Sequence, residues 1–417
     1  MHALASFIGL GPAAGPLGVR IALFFAALFL IQGVAVPYFP VWLHTRGLDP
    51  LQIATVTASP LFIRLLVTPG ISLLADRLDN YRLVILALAS SALALTGGLG
   101  LVQGYGPILV LGVAFLLAST TMLPLIDTVA VRAARSDGLD YGRMRLWGSI
   151  TFIVANFLGG MAIEALGGGF ALWMIGAAAV STIAAAYALP AQSSGVTHAS
   201  PGPFNWRASS PARLLGSPLF VLFLVAIGCT HGAHATFYTF SALHWQAQGL
   251  PAAWIGALWA IGVLAEVALF AVSASVVHRF GPAQLIVAGA TASIVRWGAM
   301  AFDPPLALLV PLQALHALTY GAAHLGAILF ISRAVPHSAT GSAQAFFATI
   351  ASGLAQGIIG LVSGALYGSI GGLVFLVPAT VAIVGCAAGI VLLREWSGRP
   401  LWDEDGPVTP TAQERGD

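Results

Sequence analysis

The chain has 417 residues, 58% of them hydrophobic and 8% charged, with a mean hydropathy of +0.91 and a net charge of +2. Soluble domains carry roughly 25% charged residues, so a water-soluble protein is excluded and a polytopic membrane protein remains. No nucleic-acid partner is expected, and Cys229 and Cys386 lie in different apolar runs with no disulfide or metal framework between them.

The N-terminal stretch MHALASFIGLGPAAGPLGVR places no basic cluster before its apolar residues, so no cleaved signal is expected. A membrane helix needs about 20 apolar residues, which predicts about twelve spans. They fall near 20–43, 51–74, 83–102, 107–131, 145–166, 169–189, 217–244, 251–277, 284–302, 306–332, 343–368 and 371–393. No strand alternation is sustained, which excludes a β-barrel. The Ser/Pro/Gly-rich segment between spans 6 and 7 predicts a linker. The expected organisation is a six-helix half over 1–190, a cytoplasmic linker over 191–216, a second half over 217–394 and a disordered cytoplasmic tail over 395–417. All 17 basic residues are arginines, and they crowd the loops that lie on one side if the N-terminus is cytoplasmic. Both termini are therefore expected inside, with the lipid bilayer of the cell (inner) membrane as surroundings.

The halves repeat. A shift of 202 positions takes Gly47-Leu48 onto Gly249-Leu250, Ile53 onto Ile255 and Ala58 onto Ala260 without a gap. The same shift takes Gln32 onto His234 and Arg64 onto Glu266. A parallel repeat of this kind predicts a cavity between two pseudo-symmetric halves, with a binding site near mid-depth.

Ionisable groups inside apolar runs mark that site, because each costs several kcal/mol to bury and needs a partner, a proton or water. Arg64, Asp127, Glu266 and Arg296 are such groups. Glu266 and Arg296 lie at matched depth in neighbouring spans and could neutralise one another; the alternative is a static packing pair. His316, Tyr320 and His324 recur every fourth residue, hence on one helix face. His231, His234, Tyr238 and Ser241 form a second stripe, with Gln32 and Tyr38 as counterparts in span 1. These point to solute contacts or, equally, to interhelical hydrogen bonds. Asp127 and Arg145 are a gate or packing pair, or solute ligands. Asp76 and Arg77 are expected to gate the halves, and Glu164 to be solvated. Trp42, Trp245 and Trp254 read as interface anchors.

Several stretches resemble known families. SLLADRLDNYR (72–82) is similar to the loop signature of the major facilitator superfamily, and departs from it at Ser72, Asp79, Asn80 and Tyr81. YFPVWLHTRGL, PLIDTVAV, YGRMRLWGSITF, GAHATFYTFSALHWQAQG, GVLAEVALF and IVRWGAM resemble the phenylpropionate permease family, a branch related to lactose permease-type proton symporters. The resemblance implies an all-α integral membrane protein with twelve transmembrane helices in two six-helix halves, the major facilitator fold. It also implies proton-coupled uptake of a small organic solute, with Glu266, Arg296 and His316 as coupling elements. Here Asp127 and Arg145 match a solute-binding acid and arginine. The acid that usually follows the span 10 histidine by one turn is replaced by Ala317, Leu318, Thr319 and Tyr320.

The expected function is secondary transport of an aromatic monocarboxylate such as 3-phenylpropanoate. The expected solute contacts are Arg64, Gln32, Tyr38, His234, Tyr238, Tyr320 and His324. Sugar or nucleoside symport and drug efflux are the alternatives. Neither HExxH, GxSxG nor a nucleotide loop is present, so no enzyme and no cofactor beyond protons is expected. A monomer is expected.

Overall fold

A computed structural model describes residues 15–191 and 210–402. The expected linker falls largely, and the tail partly, outside the described residues. Among the described residues, ten helices are long and apolar enough to cross a membrane. The helices that follow the twelve predicted spans begin with α1 Pro16–Thr45, α2 Pro50–Leu78, α3 Tyr81–Leu101, α4 Tyr105–Asp137, α5 Tyr141–Leu166 and α6 Ala171–Ala188. After them come α7 Pro218–Ala247, α8 Ala252–Ala271, α9 Pro282–Met300, α10 Leu306–Ala334, α11 over 340–370 and α12 Leu376–Glu395. All are helical because a backbone in lipid must satisfy its own hydrogen bonds.

Local signals set the helix ends. Pro16 opens α1 at a position where its missing N–H costs nothing. Asp49 and Gln52 exchange side-chain-to-backbone bonds of 2.9 and 3.1 Å, a capping box that starts α2. Gly47 and Gly249 both have φ +80°, which closes the turns after α1 and α7. The 202-residue register reaches the helix limits: Pro16 and Pro218 start α1 and α7, Thr45 and Ala247 end them, and Pro50 and Ala252 start α2 and α8.

Regularity is not shared equally. α7 breaks at Ala233, α8 ends at Val272 before a further turn of helix, and α10 and α11 contain π-segments at Ala317–Ala322 and Ile350–Leu354. Such bulges often sit at functional positions.

Each half packs internally, and the halves meet through α5 on α8, α2 on α11 and α1 on α7. The contact is closest beside the loops 46–49 and 248–251. The Tyr38 hydroxyl donates to the Asn156 carbonyl at 2.8 Å. A Cβ at Gly160 or Gly256 would come within 2.9 or 2.8 Å of that hydroxyl and would also collide with backbone of the other half. Glu164 accepts the Ala253 N–H at 2.9 Å across the same seam, so it is engaged with the first turn of α8 rather than simply solvated. Trp42 and Trp245, expected at the lipid interface, are buried at 3% and 2% exposure, while Trp254 is exposed.

Candidate functional site

Between the halves lies a cavity of about 380 Å³. α1 and α2 contribute Gln32 and Arg64, and α5 contributes Arg145. From the other half come Tyr238 of α7, Trp259 and Glu266 of α8, Arg296 of α9, and Gln313, His316 and Tyr320 of α10. Three arginines and one carboxylate therefore line it.

The C-terminal half holds a bonded chain. The Arg296 guanidinium donates to Gln313 Oε1 at 2.6 Å, Thr319 Oγ1 at 3.2 Å and His316 Nδ1 at 3.2 Å. It also stacks on Phe237 and Trp297, with centroid distances of 4.8 and 4.5 Å, so its buried charge is held by hydrogen bonds and by ring faces. An arginine can only donate, so His316 Nδ1 must be the acceptor and the ring proton sits on Nε2. That nitrogen lies 3.0 Å from Glu266 Oε2. Glu266 and Arg296 are therefore not a direct pair, as their matched depth suggested: His316 stands between them.

Other expected contacts lie elsewhere. Tyr38 has no exposure and is spent on the α5–α8 seam. His234 is equally buried behind the wall, 3.0 Å from Thr319 Oγ1. His324 is absent from the cavity lining and stacks on Tyr320 and His231, with near-parallel rings 6.0 Å from each. Helix spacing picked the right face for these rings, but α7 and α11 pack over that face below Tyr320.

In the N-terminal half, Asp127 is also outside the lining; its carboxylate accepts the Tyr141 hydroxyl at 3.0 Å. Arg145 reaches the cavity, its guanidinium 4.1 Å from the centre of the Phe29 ring. Asp76 binds Arg132 at 3.2 Å and the Tyr81 hydroxyl at 2.6 Å, all within one half, so these contacts do not bridge the halves. Arg77 is exposed. Gln313, Trp259 and Thr120 were missed as lining residues. The two polar ones were detectable as an amide and a hydroxyl inside apolar runs.

No metal-binding group of three or more His, Cys, Asp or Glu side chains occurs among the described residues.

Comparison with known proteins agrees with this architecture. The model of the MFS_1 like family matches residues 18–377. The chain is 31% identical to the probable 3-phenylpropionic acid transporter of Escherichia coli (strain K12), over 87% of this chain and 94% of that protein. It is 26% identical to the maltose permease of Geobacillus stearothermophilus, over 82% and 86% respectively. Among solved structures, the nucleoside transporter NupG superposes with a TM-score of 0.77 at 17% identity, covering 91% of this chain and all of that one. An inward-facing bacterial homologue of the human lysosomal transporter Spinster superposes with a TM-score of 0.72 at 14% identity, covering 93% and 98%. The fold, the family match and these relatives together identify the chain as a member of the MFS_1 like family, a multi-pass membrane transporter of the major facilitator superfamily and not an enzyme.

Proposed function

We propose that the protein is a proton-coupled symporter of a small aromatic monocarboxylate, of the 3-phenylpropanoate kind, working by alternating access in the cell (inner) membrane with both termini cytoplasmic. The observation that carries the reading is the charge of the cavity: three arginines face one carboxylate. A guanidinium presents a planar fork that matches a carboxylate, and Trp259 and Tyr238 offer ring faces for an aromatic body. A neutral sugar offers these guanidiniums no carboxylate to match their fork. The similarity to a probable 3-phenylpropionic acid transporter supports the same solute class.

Geometry favours Glu266 over His316 as the proton carrier. A second proton on His316 would put an N–H on Nδ1, facing the Arg296 donor 3.2 Å away. A proton on Glu266 meets no such conflict, because the neutral acid still offers its carbonyl oxygen to His316 Nε2–H.

Direct binding tests the anion reading. The purified protein is expected to bind 3-phenylpropanoate at least about tenfold more tightly than its uncharged amide, lactose or uridine, one charge-assisted contact being worth about 1.5–3 kcal/mol. Arg64→Gln should erase most of the acid's advantage over the amide. Tighter binding of any neutral compound would overturn the reading in favour of the sugar or nucleoside alternative.

Alternating access requires the seam beside loops 46–49 and 248–251 to open. Glu164 contributes there through the helix terminus, an exposed interaction of about 0.3–1 kcal/mol. Glu164→Ala should raise labelling of a cysteine placed at Thr57, by an impermeant thiol reagent on the sealed side, by about two- to fivefold. An unchanged rate would mean that Glu164 does not hold the seam.

A further inference from the structure

Beside the central cavity lies a second space of about 150 Å³. The two share Gln32, Val36, Arg64, Thr120 and Tyr238 in their linings, so the smaller one is a side lobe of the larger. Its walls are mostly apolar, with Phe39, Pro40, Pro60 and Leu61 on one half and Ala235 and Gly360 on the other. A cavity of about this size lined by apolar side chains takes up benzene. The lobe thus has the volume and lining for one aromatic ring, next to an arginine-lined basin.

One group does not fit an apolar ring alone. Gln356 lines the lobe at 9% exposure, and its amide atoms are not sealed among the buried side-chain atoms but open into the lobe. An amide that faces a small, mostly apolar lobe favours a ligand that brings a polar partner to it. Thr57 and Thr239 also line the lobe, their hydroxyls 3.4 Å apart. A ring hydroxyl could donate to the Gln356 carbonyl oxygen and accept from its amide nitrogen; a ring hydrogen can do neither.

We propose that the lobe is a subsite for the substrate's ring, and that Gln356 selects aryl carboxylates whose ring carries a hydroxyl group. The assignment rests on the anion reading of the basin for the carboxylate end of the molecule. Because both halves line the lobe, a ring lodged there touches both and so favours the conformation in which they enclose it.

Calorimetry on the purified full-length protein tests this. The ligands are 3-phenylpropanoate, its 3-hydroxyphenyl and 4-hydroxyphenyl analogues, and phenol and toluene as ring fragments. One hydroxylated acid is expected to bind at least about tenfold more tightly than the plain acid, with phenol favoured over toluene in the same sense. Gln356→Leu should abolish both preferences. Gly360→Ala keeps the amide but narrows the lobe; its Cβ would meet Ala58 and Ala235 at 3.7 and 3.8 Å, ordinary contact, so folding is not threatened. It should weaken all three acids. Equal binding of plain and hydroxylated acids, or a preference that survives Gln356→Leu, would overturn the ring subsite while leaving the anion reading intact. If no acid binds but phenol still exceeds toluene through Gln356, the anion reading fails and the ring subsite stands. Absence of any binding overturns both.

Discussion

Glu266→Gln should abolish accumulation of solute against its gradient while leaving exchange of solute across the membrane intact. An imposed difference of about 2 pH units supplies about 2.7 kcal/mol per proton, enough for about a hundredfold accumulation with one proton per solute. The variant is expected to reach a ratio of about one. Folding should be spared, because the glutamine carbonyl can still accept the His316 Nε2–H that now lies 3.0 Å from the carboxylate. Substrate counterflow in proteoliposomes would then run at a rate comparable to wild type. His316→Asn offers a contrast: it removes the bridge to Arg296 but keeps the carboxylate, so some accumulation should survive. Accumulation by Glu266→Gln equal to that of wild type would show that the proton travels elsewhere.

The second large effect lies at the seam. Gly256→Val puts a side chain where the Asn156 carbonyl and the Tyr38 hydroxyl already sit. Overpacking of a tight contact costs about 1–3 kcal/mol. The stress can be relieved by parting α5 from α8, because both are whole helices in separate halves. The variant should therefore populate the state opened on the sealed side and lose transport by more than about tenfold. The readout is again a cysteine at Thr57, with Cys229 and Cys386 replaced by alanine, and labelling should rise at least about tenfold above wild type. This exceeds the effect expected for Glu164→Ala, which removes one exposed hydrogen bond and introduces no clash. A folded Gly256→Val protein labelled as slowly as wild type would place the flexible joint somewhere other than α5–α8.

Much of the architecture is legible in the amino-acid sequence. Twelve spans follow from apolar run length, and the repeat follows from residues such as Gly47 and Gly249, whose shared left-handed turn explains why both are glycine. Arg64, Glu266 and Arg296 announced themselves because charge is scarce in lipid. What stayed hidden was what packs on each helix face. Tyr38 and His234 sit on inward-facing stripes, yet neighbouring helices cover them. Arg145 is only four residues into α5, but its long stem carries the guanidinium inwards onto Phe29. Gln356 gave only a faint signal, one amide in an apolar run, and its meaning depends on a lobe formed by residues distant in sequence. The order of the bonded chain Arg296–His316–Glu266 is likewise a matter of rotamers and helix rotation, which spacing does not encode.

The 202-residue register also bears on ancestry. Arg64 and Glu266 occupy equivalent places in the two halves and line one cavity. In a protein whose halves were identical, any charge at that place would confront its own copy: two cations or two carboxylates, each raising the other's energy. Opposite charges there require copies that differ, and a single chain carrying both lets them change separately. A paired assembly of identical half-length chains could share the turns and the helix limits, but never this asymmetry of charge. Fusion of the halves is therefore one way to permit a single carboxylate at the centre.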